Sequence, residues 1–191
     1  MPELSEQARA AFEREALIHL DSVYCFARSL TLDDMAAEDL AQDTFLNAWR
    51  AWRQYEPGTN CRAWLFTICR NLRARQAQRE ARIELADTAE LDSLASAALH
   101  ASLGEGDRDG GFLDMPELGD VLRRALAKLP EEYREVVTLS DVHDQSYPAI
   151  AKVLGVPVGT VKSRLYRGRR LLQESLLAYA RDAGIVAGAG G

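Results

Sequence analysis

The sequence predicts an all-α protein of two small helical domains, on three observations. Apolar residues recur at helical spacing from Glu6 to Arg82 and again from Leu118 to Asp182, and neither block holds an alternating strand run. The stretch between them, Glu84 to Glu117, is small and acidic and ends in Gly104-Glu-Gly-Asp-Arg-Asp-Gly-Gly111, which is poor core material. The expected division is a first domain over 1–83, a flexible acidic linker over 84–117, a second domain over 118–183 and a disordered Gly/Ala-rich tail over 184–191. With 191 residues, 47% apolar and 27% charged, the chain has the balance of a globular protein that buries a core.

In the first block, the helix from about Met35 to Trp52 has two faces. Ala37, Ala41, Thr44, Phe45, Ala48 and Trp52 share one arc and are expected to pack inward. Asp39, Gln42, Asp43, Leu46 and Arg50 share the other, where Leu46 is an apolar side chain ringed by polar ones, the pattern of a partner surface. Tyr55-Glu-Pro-Gly-Thr-Asn60 then reads as a loop, and the acid-free run CRAWLFTICRNLRARQAQR as the next helix. On it Leu65, Ile68, Cys69 and Leu72 form the inner arc, while Trp64, Thr67 and Asn71 gather beside Arg70. A ring, an amide and arginines beside a polar loop are what unpaired bases need: a surface to stack on, donors for base edges and cations for the backbone. Trp64 reads equally well as a core residue covered by Arg62.

In the second block, Leu129-Pro130-Glu131-Glu132 opens a helix with acids at the positive end of its dipole, carrying Tyr133, Val136, Val137 and Leu139. A short helix follows, capped by Ser146, tolerating Pro148 in its first turn, facing Ile150, Val153 and Leu154 inward and ending at Gly155. Pro157 to Thr160 is read as the turn into the longer helix VKSRLYRGRRLLQESLL, which completes helix-turn-helix grammar. Counting from Val161, the residues Leu165, Gly168 and Leu172 fall within about 40° and form the core seam. Lys162, Ser163, Tyr166, Arg167 and Arg170 lie opposite, with no acid among them, a face suited to a DNA groove. Gly168 is read as a packing residue only.

Charge supports this reading by its distribution rather than its sum. The net charge is −6, yet residues 61–79 carry +5 and 146–191 carry +5, against −6 over 1–60 and −9 over 80–120. Two cationic islands in an acidic chain fit two contacts with one polyanion. Cys25, Cys61 and Cys69 form no CxxC pair and read as reduced structural thiols, and His19, His100 and His143 are scattered, so no metal site is expected. With no run of eighteen apolar residues and an acidic start unlike an export signal, the chain is expected in the cytoplasm without membrane insertion.

With these motifs in this order, the sequence resembles the extracytoplasmic-function group of bacterial sigma factors, over about residues 10–82 and 118–178. AAEDLAQDTFLNAWRAW resembles the family's core-polymerase-binding segment and PGTNCRAWLFTICRNL its minus-10 recognition and melting segment. LPEEYREVVTLSDVHDQSYPAIAKVLGVPVGTVKSRLYRGRRLL resembles its minus-35 reading domain. The resemblance implies that Asp39, Gln42, Asp43 and Leu46, with Arg50 on the same face, grip the clamp helices of the polymerase largest subunit. It implies that the loop Gly58, Thr59, Asn60 to Arg62 captures a flipped minus-10 base beside Trp64, Arg70 and Asn71. The second domain, by the same likeness, docks on the flap of the other large subunit and sets Lys162, Ser163, Tyr166 and Arg167 in the minus-35 groove, with Arg170 beside them.

The implied partners are core RNA polymerase, promoter DNA and an anti-sigma factor, the last on Leu46 and the apolar faces of the second domain. One departure is Pro148-Ala149, where the family commonly has two acids, which removes a capping-box contact. Two promoter elements about 50–60 Å apart lie within reach of a tether of thirty-odd residues, ~100 Å when extended, and the −9 charge of residues 80–120 suits a basic polymerase channel. A stand-alone dimeric helix-turn-helix regulator is the competing reading; it requires a dimer interface and no polymerase. An enzyme acting on nucleic acid lacks a carboxylate cluster, metal motif, nucleophile–base pair or phosphate loop, so no catalytic residue and no cofactor are expected.

Overall fold

A computed structural model describes residues 6–90 and 116–183, with side chains over 6–82 and 119–183. The chain divides into two compact units, within Met1–Arg108 and Asp109–Gly191.

Among its described residues the first unit holds four helices, α1 (Glu6–Glu15), α2 (Leu20–Thr31), α3 (Asp34–Ala51) and α4 (Cys61–Glu90), with short 3₁₀ turns at Leu17–His19 and Trp52–Gln54. α2, α3 and α4 pack on one another. Val23, Phe26, Ala27 and Leu30 from α2 meet Ala37, Leu40, Ala41 and Ala48 from α3 and Leu65, Phe66 and Cys69 from α4, all buried. Phe26 and Phe66 lie 4.9 Å apart by ring centroid. α2 ends on Leu32 in a left-handed conformation at φ 60°, and Asp33 caps α3 by accepting from the Ala36 N–H at 2.8 Å. The α3 faces are as expected, with Phe45 half-buried, whereas the inner arc of α4 differs from the expected Leu65, Ile68, Cys69 and Leu72. Phe66 is fully buried whereas Ile68 and Leu72 are only half-buried, because α4 enters the core between two partners and its buried arc turns accordingly.

Two boundaries differ from the expected ones. α4 runs to Glu90, so residues 84–90, assigned to the linker, are helical here, and α5 begins at Pro116 rather than 118. Acidic composition alone hid this continuation, since Glu, Leu and Ala are good helix formers whether or not a core lies beside them. The remaining linker residues and the tail at 184–191 lie outside the described residues.

The second unit holds α5 (Pro116–Ala127), α6 (Glu131–Val137), α7 (Tyr147–Leu154) and α8 (Val158–Asp182). α8 packs against the other three over Val136, Val137, Ile150, Val153, Leu154, Val161 and Leu165. Arg134 is buried on α6 and donates from Nη1 to the carbonyls of Leu129 (3.0 Å) and Ala127 (3.4 Å), closing the C-terminal end of α5. Residues Thr138–Val142 form a wide π-type turn, closed by the His143 N–H on the Thr138 carbonyl at 3.1 Å. Ser146 caps α7 through the Ala149 N–H at 3.4 Å, and Gly155 ends it at φ 63°. The helix start therefore holds without the two family acids. Pro157 is the residue before α8, so the turn is Gly155 to Pro157, and Val158 to Thr160, read as turn, already form the helix's first turn.

Candidate nucleic-acid interface

α8 presents its basic face because a glycine fixes its other side. A methyl group placed on Gly168 would lie 2.8 Å from Val137 Cγ2 and 3.2 Å from Tyr133 Cβ, so α8 and α6 touch backbone to side chain with no room between. Val161 and Leu165 continue that seam, fully buried, and Leu172 is half-buried at its far end. Opposite, Lys162, Ser163, Tyr166, Arg167 and Arg170 are all exposed, Tyr166 at 71%. The arginines nearer the seam are tied down: Arg164 pairs with Glu132 at 2.9 Å, and Arg169 grips Asp141 through two bonds of 3.0 and 2.6 Å. Lys162 and Arg167 take part in neither pair, while Arg170 pairs along the helix with Glu174 at 3.2 Å and Ser163 donates to the Thr160 carbonyl at 3.0 Å. An open groove runs between Tyr147 of α7 and Lys162, Tyr166, Arg169 and Arg170 of α8.

The first unit's cationic surface is built differently. Glu56-Pro-Gly-Thr59 is a tight turn with proline second and Gly58 third at φ 81°, closed by the Thr59 N–H and hydroxyl on the Glu56 carbonyl at 3.3 and 2.8 Å. Asn60 then caps α4, its Oδ1 accepting from the Ala63 N–H at 3.0 Å. Gly58, Thr59 and Asn60 are exposed; Arg62, Trp64 and Arg70 are half-buried; Asn71, next to Arg70 and two turns on from Trp64, is exposed. Trp64 is neither fully buried nor fully exposed. One side of its ring meets Tyr55 at 5.1 Å and Trp52 at 6.0 Å, while the residue stays half-exposed. Trp52 in turn stacks on Tyr55 at 4.7 Å and meets Phe12 edge-on at 5.0 Å, so an aromatic wall from α1 backs the loop.

The third surface is the outer face of α3, where Asp39, Gln42, Asp43, Leu46 and Arg50 are all exposed, Leu46 at 53%. Met35, 78% exposed, was missed in the sequence. It stands eleven residues before Leu46, three helical turns, and so continues the same stripe; that spacing is the signal that finds it.

The thiols sit among structural contacts. Burial pushes Cys69 up to about 12 and Cys61 up to about 11, so both are protonated thiols at neutral pH. Among the described residues no three His, Cys, Asp or Glu side chains gather closely enough to hold a metal ion, and no helix is long and apolar enough to cross a membrane.

Comparison with known proteins follows the same partition. Residues 17–83 match the family model for sigma-70 region 2, and residues 119–172 match that for sigma-70 region 4. The ECF RNA polymerase sigma factor EcfG of Rhodopseudomonas palustris is 36% identical over 88% of this chain and 86% of its own length. RNA polymerase sigma factor CarQ of Myxococcus xanthus is 35% identical over 92% of this chain and 95% of its own. ECF RNA polymerase sigma factor SigE of Mycolicibacterium smegmatis is 35% identical over 86% of this chain, which spans 61% of that longer protein. Among solved structures, the sigma factor RpoE of Bartonella quintana, in complex with the anti-sigma factor NepR, superposes with a TM-score of 0.67 at 36% identity, over 86% of this chain and 96% of that one. CnrH in complex with the cytosolic domain of CnrY gives 0.60 at 29% identity, over 90% and 94%. Two family matches in order, and relatives aligned nearly end to end, make this chain a member of the ECF RNA polymerase sigma factors.

Proposed function

We propose that the chain's three exposed surfaces divide the work of a sigma factor as follows. The α3 face, Asp39, Gln42, Asp43, Leu46 and Arg50, binds the clamp helices of the polymerase largest subunit. The loop Gly58, Thr59, Asn60 and Arg62, with Trp64, Arg70 and Asn71, captures an unpaired base of the minus-10 element and so holds the duplex open. Lys162, Ser163, Tyr166, Arg167 and Arg170 of α8 enter the major groove of the minus-35 element, while the second domain docks on the flap of the other large subunit. The chain performs no chemistry itself and works in the cytoplasm. Its domains are residues 1–83 and 118–183, apart from the helical extension of α4 to Glu90 and the start of α5 at Pro116.

What carries this reading is the contrast between the two cationic surfaces. An aromatic residue held half-exposed beside an ordered polar loop suits a single base taken out of its stack, and a row of exposed donors on one helix suits paired bases in a groove. Acidic residues around Leu46 on α3 suit a basic partner. RpoE and CnrH were each solved with a partner protein, for RpoE an anti-sigma factor, and this chain is proposed to be held by one that covers Leu46 and the apolar faces of the second domain.

Transcription in a purified system tests the scheme: core polymerase with and without the chain on a promoter library, with Asp43→Arg in parallel. The chain is expected to direct defined start points, and Asp43→Arg to weaken core association by about tenfold or more, since reversing a charge at a complementary interface is repulsive. Unchanged core affinity in Asp43→Arg removes the α3 face from the scheme.

A further inference from the structure

We propose that Tyr55 is a positioning residue for base capture: its hydroxyl, donating to the Thr59 carbonyl at 3.0 Å, holds the Gly58–Arg62 loop in its receiving shape. This rests on the capture role proposed above.

The bonds described within the loop are local. The turn Glu56–Thr59 closes on itself, and Asn60 closes on the start of α4. Between them Gly58 carries a positive φ and has nothing within 4 Å of where a side chain would stand, so the tip is held only from its two ends. The Tyr55 hydroxyl crosses from the aromatic wall to the far end of the turn at Thr59, and it also engages the Cys61 thiol at the start of α4. Its ring is itself fixed, 7% exposed, stacked on Trp52 at an interplanar angle of 21° and 5.1 Å from Trp64. One side chain thereby sets the distance between Trp64, the stacking surface, and the turn that faces it.

The chemistry of the hydroxyl suits the task. Burial raises the Tyr55 phenol above its ordinary value, the contact with Thr59 opposing only in part, so it stays a donor throughout the neutral range. A loop already in its bound shape gives up less freedom when the base arrives, and a fixed opening also discriminates better among bases. Phenylalanine fills the same space as tyrosine without this bond, so ring and hydroxyl can be separated experimentally.

The test compares the wild-type chain and Tyr55→Phe in holoenzyme on promoters carrying 2-aminopurine at successive minus-10 positions, whose fluorescence rises when the base leaves the stack. Trp64→Ala serves as the capture-deficient reference. Tyr55→Phe is expected to slow the rise and to narrow the preference among bases at the captured position by about 3- to 10-fold, the loss that one hydrogen bond brings. Core affinity is expected to stay at the wild-type value, and the unfolding temperature read by tryptophan fluorescence to fall by only a few degrees, the cost of one bond. Wild-type kinetics and base preference in Tyr55→Phe, with Trp64→Ala defective, overturn the positioning role alone. If Trp64→Ala is also indistinguishable from wild type, the capture role beneath it fails as well. A loss in Tyr55→Phe that moves core affinity and unfolding temperature together, with base preference intact, is a general packing defect and overturns the proposal.

Discussion

The two cationic surfaces of this chain carry the same net charge over their sequence segments and are built on opposite principles. On α8 the donors stand away from the core on a helix clamped from behind, and the neighbouring arginines Arg164 and Arg169 are bound by Glu132 and Asp141. On the Tyr55 loop and α4, the aromatic residue is half sunk into a wall of Tyr55, Trp52 and Phe12, and the loop residues are partly engaged in capping and turn bonds. The first arrangement leaves side chains to adjust against an already ordered double helix. The second, in the proposed scheme, is a receptacle ordered in advance for a single unpaired base, which brings no order of its own. Charge likens the two surfaces; packing behind the charge tells them apart.

Four experiments break or sharpen this contrast. The largest effect is expected for Trp52→Ala, which removes the buried ring under both Tyr55 and Trp64 and should destabilise the first unit by about 3–5 kcal/mol. All three tryptophans, Trp49, Trp52 and Trp64, lie in that unit, so the two remaining rings report its unfolding selectively. Minus-35 discrimination that falls in parallel would show the surfaces to be interdependent.

Gly168→Val is the mirror experiment. The added side chain meets Val137 and Tyr133 and should cost about 1–3 kcal/mol in the second unit, seen as an earlier loss of helical circular dichroism while tryptophan fluorescence keeps its transition. Arg167→Ala should leave folding and core binding unchanged and reduce discrimination at one minus-35 position by about 1–3 kcal/mol, measured by binding of holoenzyme to single-base promoter variants. Uniform weakening across all variants would instead make Arg167 a phosphate contact.

The smallest change separates Arg170 from Arg167. Arg170 gives up its Glu174 partner to reach DNA, a pair of exposed side chains that is worth little, so Arg170→Ala should weaken every promoter alike and lower the salt slope of binding by about one. Glu174→Ala is expected to shift affinity slightly the other way, as titrations at two salt concentrations will show.

Much of this was legible in the sequence because period and punctuation agree there. The exposed row on α8, the α3 faces and the caps at Ser146 and Gly155 follow from helical spacing and from residues with one conformational role. What was not legible depends on partners far away in the chain. Phe66 faces inward and Ile68 only partly because α2 and α3 both press on α4, which no count along α4 alone reveals. Arg134 reads as a surface cation until the carbonyls at Ala127 and Leu129 are seen to need a donor. Tyr55 reads as the first residue of a loop until its hydroxyl is found across the turn. The helix through Glu90 escaped because an acidic composition describes solvation and says little about backbone geometry.

Gly168 has a consequence for how such a chain changes its target over evolutionary time. With no slack between α8 and α6, the reading helix cannot roll or tilt in its seat to meet a new sequence. If α8 reads DNA as proposed, altered preference is expected to come from exchanging side chains at 162, 163, 166 and 167 rather than from reseating the helix, so the four positions form a small, enumerable alphabet for redesign.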